Sequence, residues 1–141
     1  MVILRHANGS VQWEHIAKEE AAAPTVALES VFITSAIDAK ENRKIVTIDI
    51  PGAFLHADNE DYVLMKMVGT LAELMVQTNP TLYRKYVVIE KGRSVLYLRL
   101  QKALYGMMKS ALLFYQKLIA ELRDMGFTIN PYDPCIANKL V

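Results

Sequence analysis

The stretch VTIDIPGAFLHAD, residues 46–58, sets one carboxylate, Asp49, inside a run that otherwise alternates like a half-buried strand. An ionised acid taken out of water needs a cation, hydrogen bonds or a metal ion beside it. A strand-end aspartate before a Pro-Gly turn therefore either caps that turn or ligates a metal, and spacing alone favours the cap. Asp58, Glu60 and Asp61 crowd into HADNED just beyond it. Three acids between two apolar segments make an ordinary surface loop, with a second ligand cluster as the sharper reading. His6, His15 and His56 lack metal-ligand spacing, which argues against a zinc hydrolase. Tyr105 and Gly106, in ALYGMMKS, precede an amphipathic run. They are either a core aromatic and a turn, or an aromatic with backbone opened to a ligand by the glycine. No glycine-rich phosphate loop, nucleophile elbow or dinucleotide fingerprint occurs.

The elements that would carry these residues follow from periodicity. A broadly buried helix is expected from Thr25 to about Lys40, opened by Pro24-Thr25 and closed by ENRK. In KIVTIDI, residues 44–50, Val46, Ile48 and Ile50 share one face of an expected strand and Ile45, Thr47 and Asp49 the other. Pro51-Gly52 ends it, and AFLHAD is expected to form a short helical turn. DYVLMKM reads as a strand and GTLAELMVQ as a helix ending before Asn79-Pro80. YVVIE and SVLYLRLQK flank KGR as a hairpin with a three- or four-residue loop. Leu112, Tyr115, Leu118, Ile119, Leu122 and Met125 keep helical spacing, and Gly126 sits where a left-handed cap belongs. CIANKLV reads as a strand without a hairpin partner. Residues 1–23, with an Asn8-Gly9 turn signal, have no assignment. The sum is an α+β fold, an antiparallel sheet with helices packed on one face.

Composition narrows the setting. The chain has 141 residues, 52% of them apolar, and a net charge of +1, so one domain with a core is expected and no overall basic footprint points to nucleic acid. The lone Cys135 excludes an internal disulfide, suits a reducing compartment and reads as a small buried hydrophobe. No signal peptide and no apolar run of membrane-spanning length is present, so a soluble protein without a membrane partner is expected.

Taken in order, APTVALESVFITSAIDAKENRKIVTIDIPGAFLHAD, LQKALYGMMKSALLFYQKL, MGF and YDPCIANK resemble the reverse transcriptase of copia-type retrotransposons over residues 24–139. The resemblance implies a partial fingers and palm domain over residues 24–141. It implies Asp49 as a catalytic carboxylate and ligand of two magnesium ions, with the Ile50 carbonyl as a further donor. It assigns Gly52 and Ala53 to the triphosphate of the incoming nucleotide and Phe54 to its sugar. Tyr105 and Gly106 would flank the nucleotide and template base, with Lys109 as a backbone contact. The implied partners are an RNA or DNA template with its primer, deoxynucleoside triphosphates and the remainder of a polyprotein, inside the cell in a cytoplasmic particle or the nucleus.

Two departures qualify this. Ala111-Leu112 stands where the family has Pro-Arg, and no adjacent Asp pair occurs in the 141 residues. The family's Tyr-Val-Asp-Asp turn, source of two further carboxylates, is expected beyond Val141. The expectation is thus a polymerase fragment, inactive alone. The rival is a decayed remnant or nucleic-acid-binding module that keeps the scaffold, and an unrelated α+β domain is a third reading.

Overall fold

Two largely apolar runs build the sheet. The computed structural model describes residues 2–5 and 21–140. Strands β1 (Val2–Arg5), β2 (Val63–Val68), β3 (Val88–Glu90) and β4 (Arg93–Arg99) lie in the order β1-β2-β4-β3. β2 and β4 pair antiparallel from Leu64↔Arg99 to Val68↔Val95, and β3 pairs antiparallel with β4. β1 adds to the other edge of β2 in parallel, Val2 opposite Val63, a partner that the sequence did not suggest. Glu90 faces Arg93, so the hairpin loop is two residues, not three or four. Lys91 and Gly92 both take positive φ, 48° and 73°, as a tight turn matched to strand twist requires.

Helix α1 (Leu28–Lys40) precedes β2, α2 (Thr70–Thr78) and α3 (Pro80–Tyr83) run between β2 and β3, and α4 (Ser110–Asp124) follows β4. Ala72 of α2 is fully buried, and the Asn79 side chain caps α3 by accepting from the Leu82 N–H at 3.1 Å. α4 ends as expected: Phe127 N–H reaches Leu122 O and Gly126 N–H reaches Arg123 O, both at 2.9 Å. The core is small. Val95 and Leu96 sit at the centre of β4, and Val63 and Met107 pack with Leu100 and Leu104 where the sheet meets the approach to α4. Among the described residues no helix is long and apolar enough to cross a membrane.

Three expectations need correction. Residues 44–50 are not a paired strand. They form no regular element and make no backbone hydrogen bond among the described residues, where no strand lies beside them. α1 is a helix, but none of its residues is buried. Its only half-buried positions are Ser30, Thr34 and Asp38, spaced four apart, so a polar stripe faces the body and Leu28, Phe32 and Ile33 face out. CIANKLV does find a partner: β6 (Ala137–Asn138) pairs antiparallel with β5 (Thr128–Ile129). The Asn8-Gly9 turn lies outside the described residues.

Candidate functional site

Asp49 stands near the end of the extended segment, exposed, and no hydrogen bond or ion pair engages it among the described residues. Among those residues it caps nothing, contrary to what spacing alone favours. Ile45, Val46 and Ile48 around it are 74–80% exposed. Upstream, the segment is joined firmly to α1. Asn42 adopts a left-handed φ of 52°, Arg43 N–H bonds Asp38 O at 2.9 Å, and the Arg43 guanidinium pairs with Glu41 at 2.6 Å and Asp38 at 3.6 Å.

Downstream, the chain reverses at Gly52, whose φ of +61° and ψ of 32° are costly for any residue with a Cβ. A single 3₁₀ turn, Ala53–His56, follows, closed by Leu55 N–H to Gly52 O at 2.8 Å and Ala57 N–H to Phe54 O at 3.0 Å. This turn delivers Phe54 to Tyr105. Their rings stack with centroids 5.9 Å apart and planes 28° apart, and Phe114 of α4 meets Phe54 in an edge-on arrangement at 6.3 Å. Tyr105 remains 80% exposed, at a turn whose Gly106 has φ +94°. Two motifs some fifty residues apart in sequence thus form one aromatic shelf.

The two motifs are also stitched through their backbones. Asn59 N–H bonds Gln101 O at 2.8 Å and Ala103 N–H bonds Ala57 O at 2.9 Å, around an antiparallel bridge between Asp58 and Lys102. Ala57 and Ala103 are both buried, and a larger side chain at either would push the strips apart. Lys102 pairs with Asp58 at 2.6 Å, and its hydrogen bond holds the Asp58 carboxyl below the ordinary carboxylate value. Lys109, carried over as a backbone contact, extends its ammonium to Asp61 at 2.9 Å. Asp58 and Asp61 of HADNED are thus each answered by a lysine. Among the described residues no group of three His, Cys, Asp or Glu side chains could hold a metal ion. Buried Ser110 starts α4 with its hydroxyl donating to Leu104 O at 2.6 Å, which fixes the loop that carries Tyr105.

One residue of consequence escaped the motif reading. Asp133, in YDPC, is 5% exposed and binds across the fold. One carboxylate oxygen accepts the Cys135 N–H at 2.9 Å and the other accepts the Ala27 N–H at 3.0 Å, at the start of α1. The Ser30 hydroxyl above all, with those two N–H groups, holds the Asp133 carboxyl below its ordinary value of 3.8. Tyr115 of α4 donates to the Pro134 carbonyl at 3.1 Å, so the same loop is fastened to the body. The sequence signal available was only an acid in a turn before proline. Cys135 beside it is half-buried, and burial pushes its thiol up, in keeping with a packing role.

The sheet and helices define an α+β domain with an exposed carboxylate on one side of a glycine reversal and an aromatic shelf on the other. The chain belongs to the reverse transcriptase (RNA-dependent DNA polymerase) family, whose profile matches residues 5–139. That span also takes in residues 5–23, which the motif blocks left unassigned. No curated protein and no solved structure matches the chain.

Proposed function

We propose that the chain is a piece of a copia-type retrotransposon reverse transcriptase, with residues 24–141 forming part of the fingers and the first part of the palm. Family membership supports the polymerase chemistry. The stack of Phe54 on Tyr105 carries the site, because it brings the two motifs assigned to nucleotide handling onto one surface.

In this reading Asp49 and the Ile50 carbonyl are the chain's share of a magnesium site. The donor set fits: magnesium takes oxygen ligands, commonly one or two carboxylates, and leaves other positions to water and substrate phosphates, and the Asp49 carboxylate is exposed with no described partner. When bound, a pair of such ions activates the primer 3′-hydroxyl and stabilises the leaving pyrophosphate. The chain's own residues orient the nucleotide. The Gly52 and Ala53 N–H groups face the triphosphate at the reversal, Phe54 packs against the sugar, and Tyr105 and Gly106 border the base pair being formed. Lys109, its ammonium engaged with Asp61, contributes through its backbone. One carboxylate does not hold two divalent ions in catalytic geometry, so the remaining ligands come from the rest of the polyprotein and the 141 residues alone do not polymerise. Template, primer and deoxynucleoside triphosphates are the partners.

The test is template-directed primer extension by the polymerase that carries this domain. Removing the ring in Phe54→Ala is expected to raise ribonucleotide over deoxynucleotide incorporation roughly 10- to 100-fold, the scale of a lost steric contact at a pocket wall. An unchanged ratio removes Phe54 from sugar selection, and absence of both extension and primer–template binding in the unaltered polymerase overturns the function. The replacement of Pro-Arg by Ala111-Leu112 favours one other reading, a decayed copy. In-frame stops or frameshifts within about 60 codons after Val141, about half a domain of coding sequence, would identify it.

A further inference from the structure

α1 poses a physical problem that its own sequence does not solve. A helix is normally held by burying an apolar stripe, yet α1 buries none of its 13 residues and turns Ser30, Thr34 and Asp38 toward the body. Nor does it cap itself. Ala27, its N-cap residue, has no side-chain acceptor to offer to the first turn. An acceptor nevertheless reaches the helix start from 106 residues away: the Asp133 carboxylate takes the N–H of Ala27 itself, the part that the acid of a capping box plays, and the Ser30 hydroxyl. That carboxylate is itself anchored. The Cys135 N–H fills its other oxygen, Asn130 Oδ1 accepts from Tyr132 N–H at 2.8 Å and Asp133 N–H at 3.3 Å, and Tyr115 fastens the loop to α4.

We propose that Asp133 is a positioning residue: it is the tie by which α4 and the YDPC loop orient α1, the helix from which the segment carrying Asp49 departs. Asp133 holds the start of α1, the helix runs on to Lys40, and the Arg43 pairs with Asp38 and Glu41 close the turn from which residues 44–50 lead away. The consequence for metal binding rests on the proposed role of Asp49, whereas the tie itself does not.

The experiment uses the full 141-residue chain and needs neither nucleotide nor metal. Amide hydrogen exchange and residual dipolar couplings are measured by NMR for the unaltered protein, Asp133→Asn and Ser30→Ala. In the unaltered protein the couplings of α1 and α4 are expected to fit one alignment tensor. In Asp133→Asn the α1 amides are expected to exchange roughly fivefold faster, the scale of a lost cap, while α4 changes by less than about twofold and the two helices no longer share a tensor. Ser30→Ala, which keeps the carboxylate and loses one donor, gives a smaller shift in the same direction and decides the matter if Asp133→Asn does not fold. Unchanged exchange and orientation of α1 would overturn the proposal. So would an equal rise in α1 and α4, the mark of a general loss of stability. Because primer extension plays no part here, failure of the polymerase reading leaves the outcome just as decisive.

Discussion

Val63, Val95 and Leu96 are 0–2% exposed, whereas Phe32, Ile45, Val46 and Ile48 stand 71–80% exposed in the same chain. The residue types are alike and the difference lies in neighbours. β2 has a strand on each side, and α2 lays Ala72 in a fully buried position, so apolar side chains from β2 and β4 have surfaces to close against. The stretch from Val26 to Ile50 has no such surface among the described residues. Its helix faces the body with a polar stripe and its extended segment has no ladder. It is held instead by discrete polar ties, Asp133 at the start of α1 and Arg43 at its end, and by the Phe54–Tyr105 stack just past Gly52. The comparison teaches that the proposed metal-ligand segment is placed from both ends by directional contacts rather than by burial. Such placement is easily lost locally without loss of the fold.

Breaking the packed region should cost most. Leu96→Ala is expected to lower stability by about 2–5 kcal/mol, measured by denaturant unfolding, since it opens a cavity at a site with no exposure. Ile48→Ala, at 80% exposure, is expected to change it by no more than about 0.5 kcal/mol. A large loss at Ile48 would mean that the segment is packed in the isolated chain, and the comparison would fail. Acid gives a smaller and more selective effect. The Asp133 carboxyl has a lowered folded value, so its contribution is fully present above the ordinary 3.8 and is lost as the pH falls through that lowered value. On titration below about pH 4, amide chemical shifts of α1 should lose their helical signature while those of α4 keep theirs. Simultaneous loss in both helices would place Asp133 in a global role.

Much of the packed region was legible because its signals are local. The spacing of Leu112 to Met125 and Gly126 after it define α4 and its cap, and apolar runs beside a glycine turn define β2 and β4. The two-residue hairpin was less clear, because it asks Lys91 to take positive φ and lysine does not advertise that. In the open region the pattern in residues 44–50 was read correctly as alternation, but alternation states which faces a strand would have, and pairing depends on a neighbour that sequence period does not supply. α1 misled for a related reason. Val26, Ile33 and Ile37 keep helical spacing, and nothing in that spacing tells which side meets the body. Asp133 was invisible as a cap because a helix N-terminus normally finds its acceptor within three residues, not 106. The resemblance names Phe54 and Tyr105 from two separate motifs, and the structure brings their rings into contact.

The central claim is that Asp49 serves as a metal ligand in a reverse transcriptase, and primer extension by the polymerase with Asp49→Asn tests it most directly. The amide keeps the shape of the side chain and removes its charge. Extension is expected to fall by roughly a thousandfold or more, with several kcal/mol of metal-borne stabilisation lost from the reacting phosphate. Extension at the unaltered rate would contradict the account.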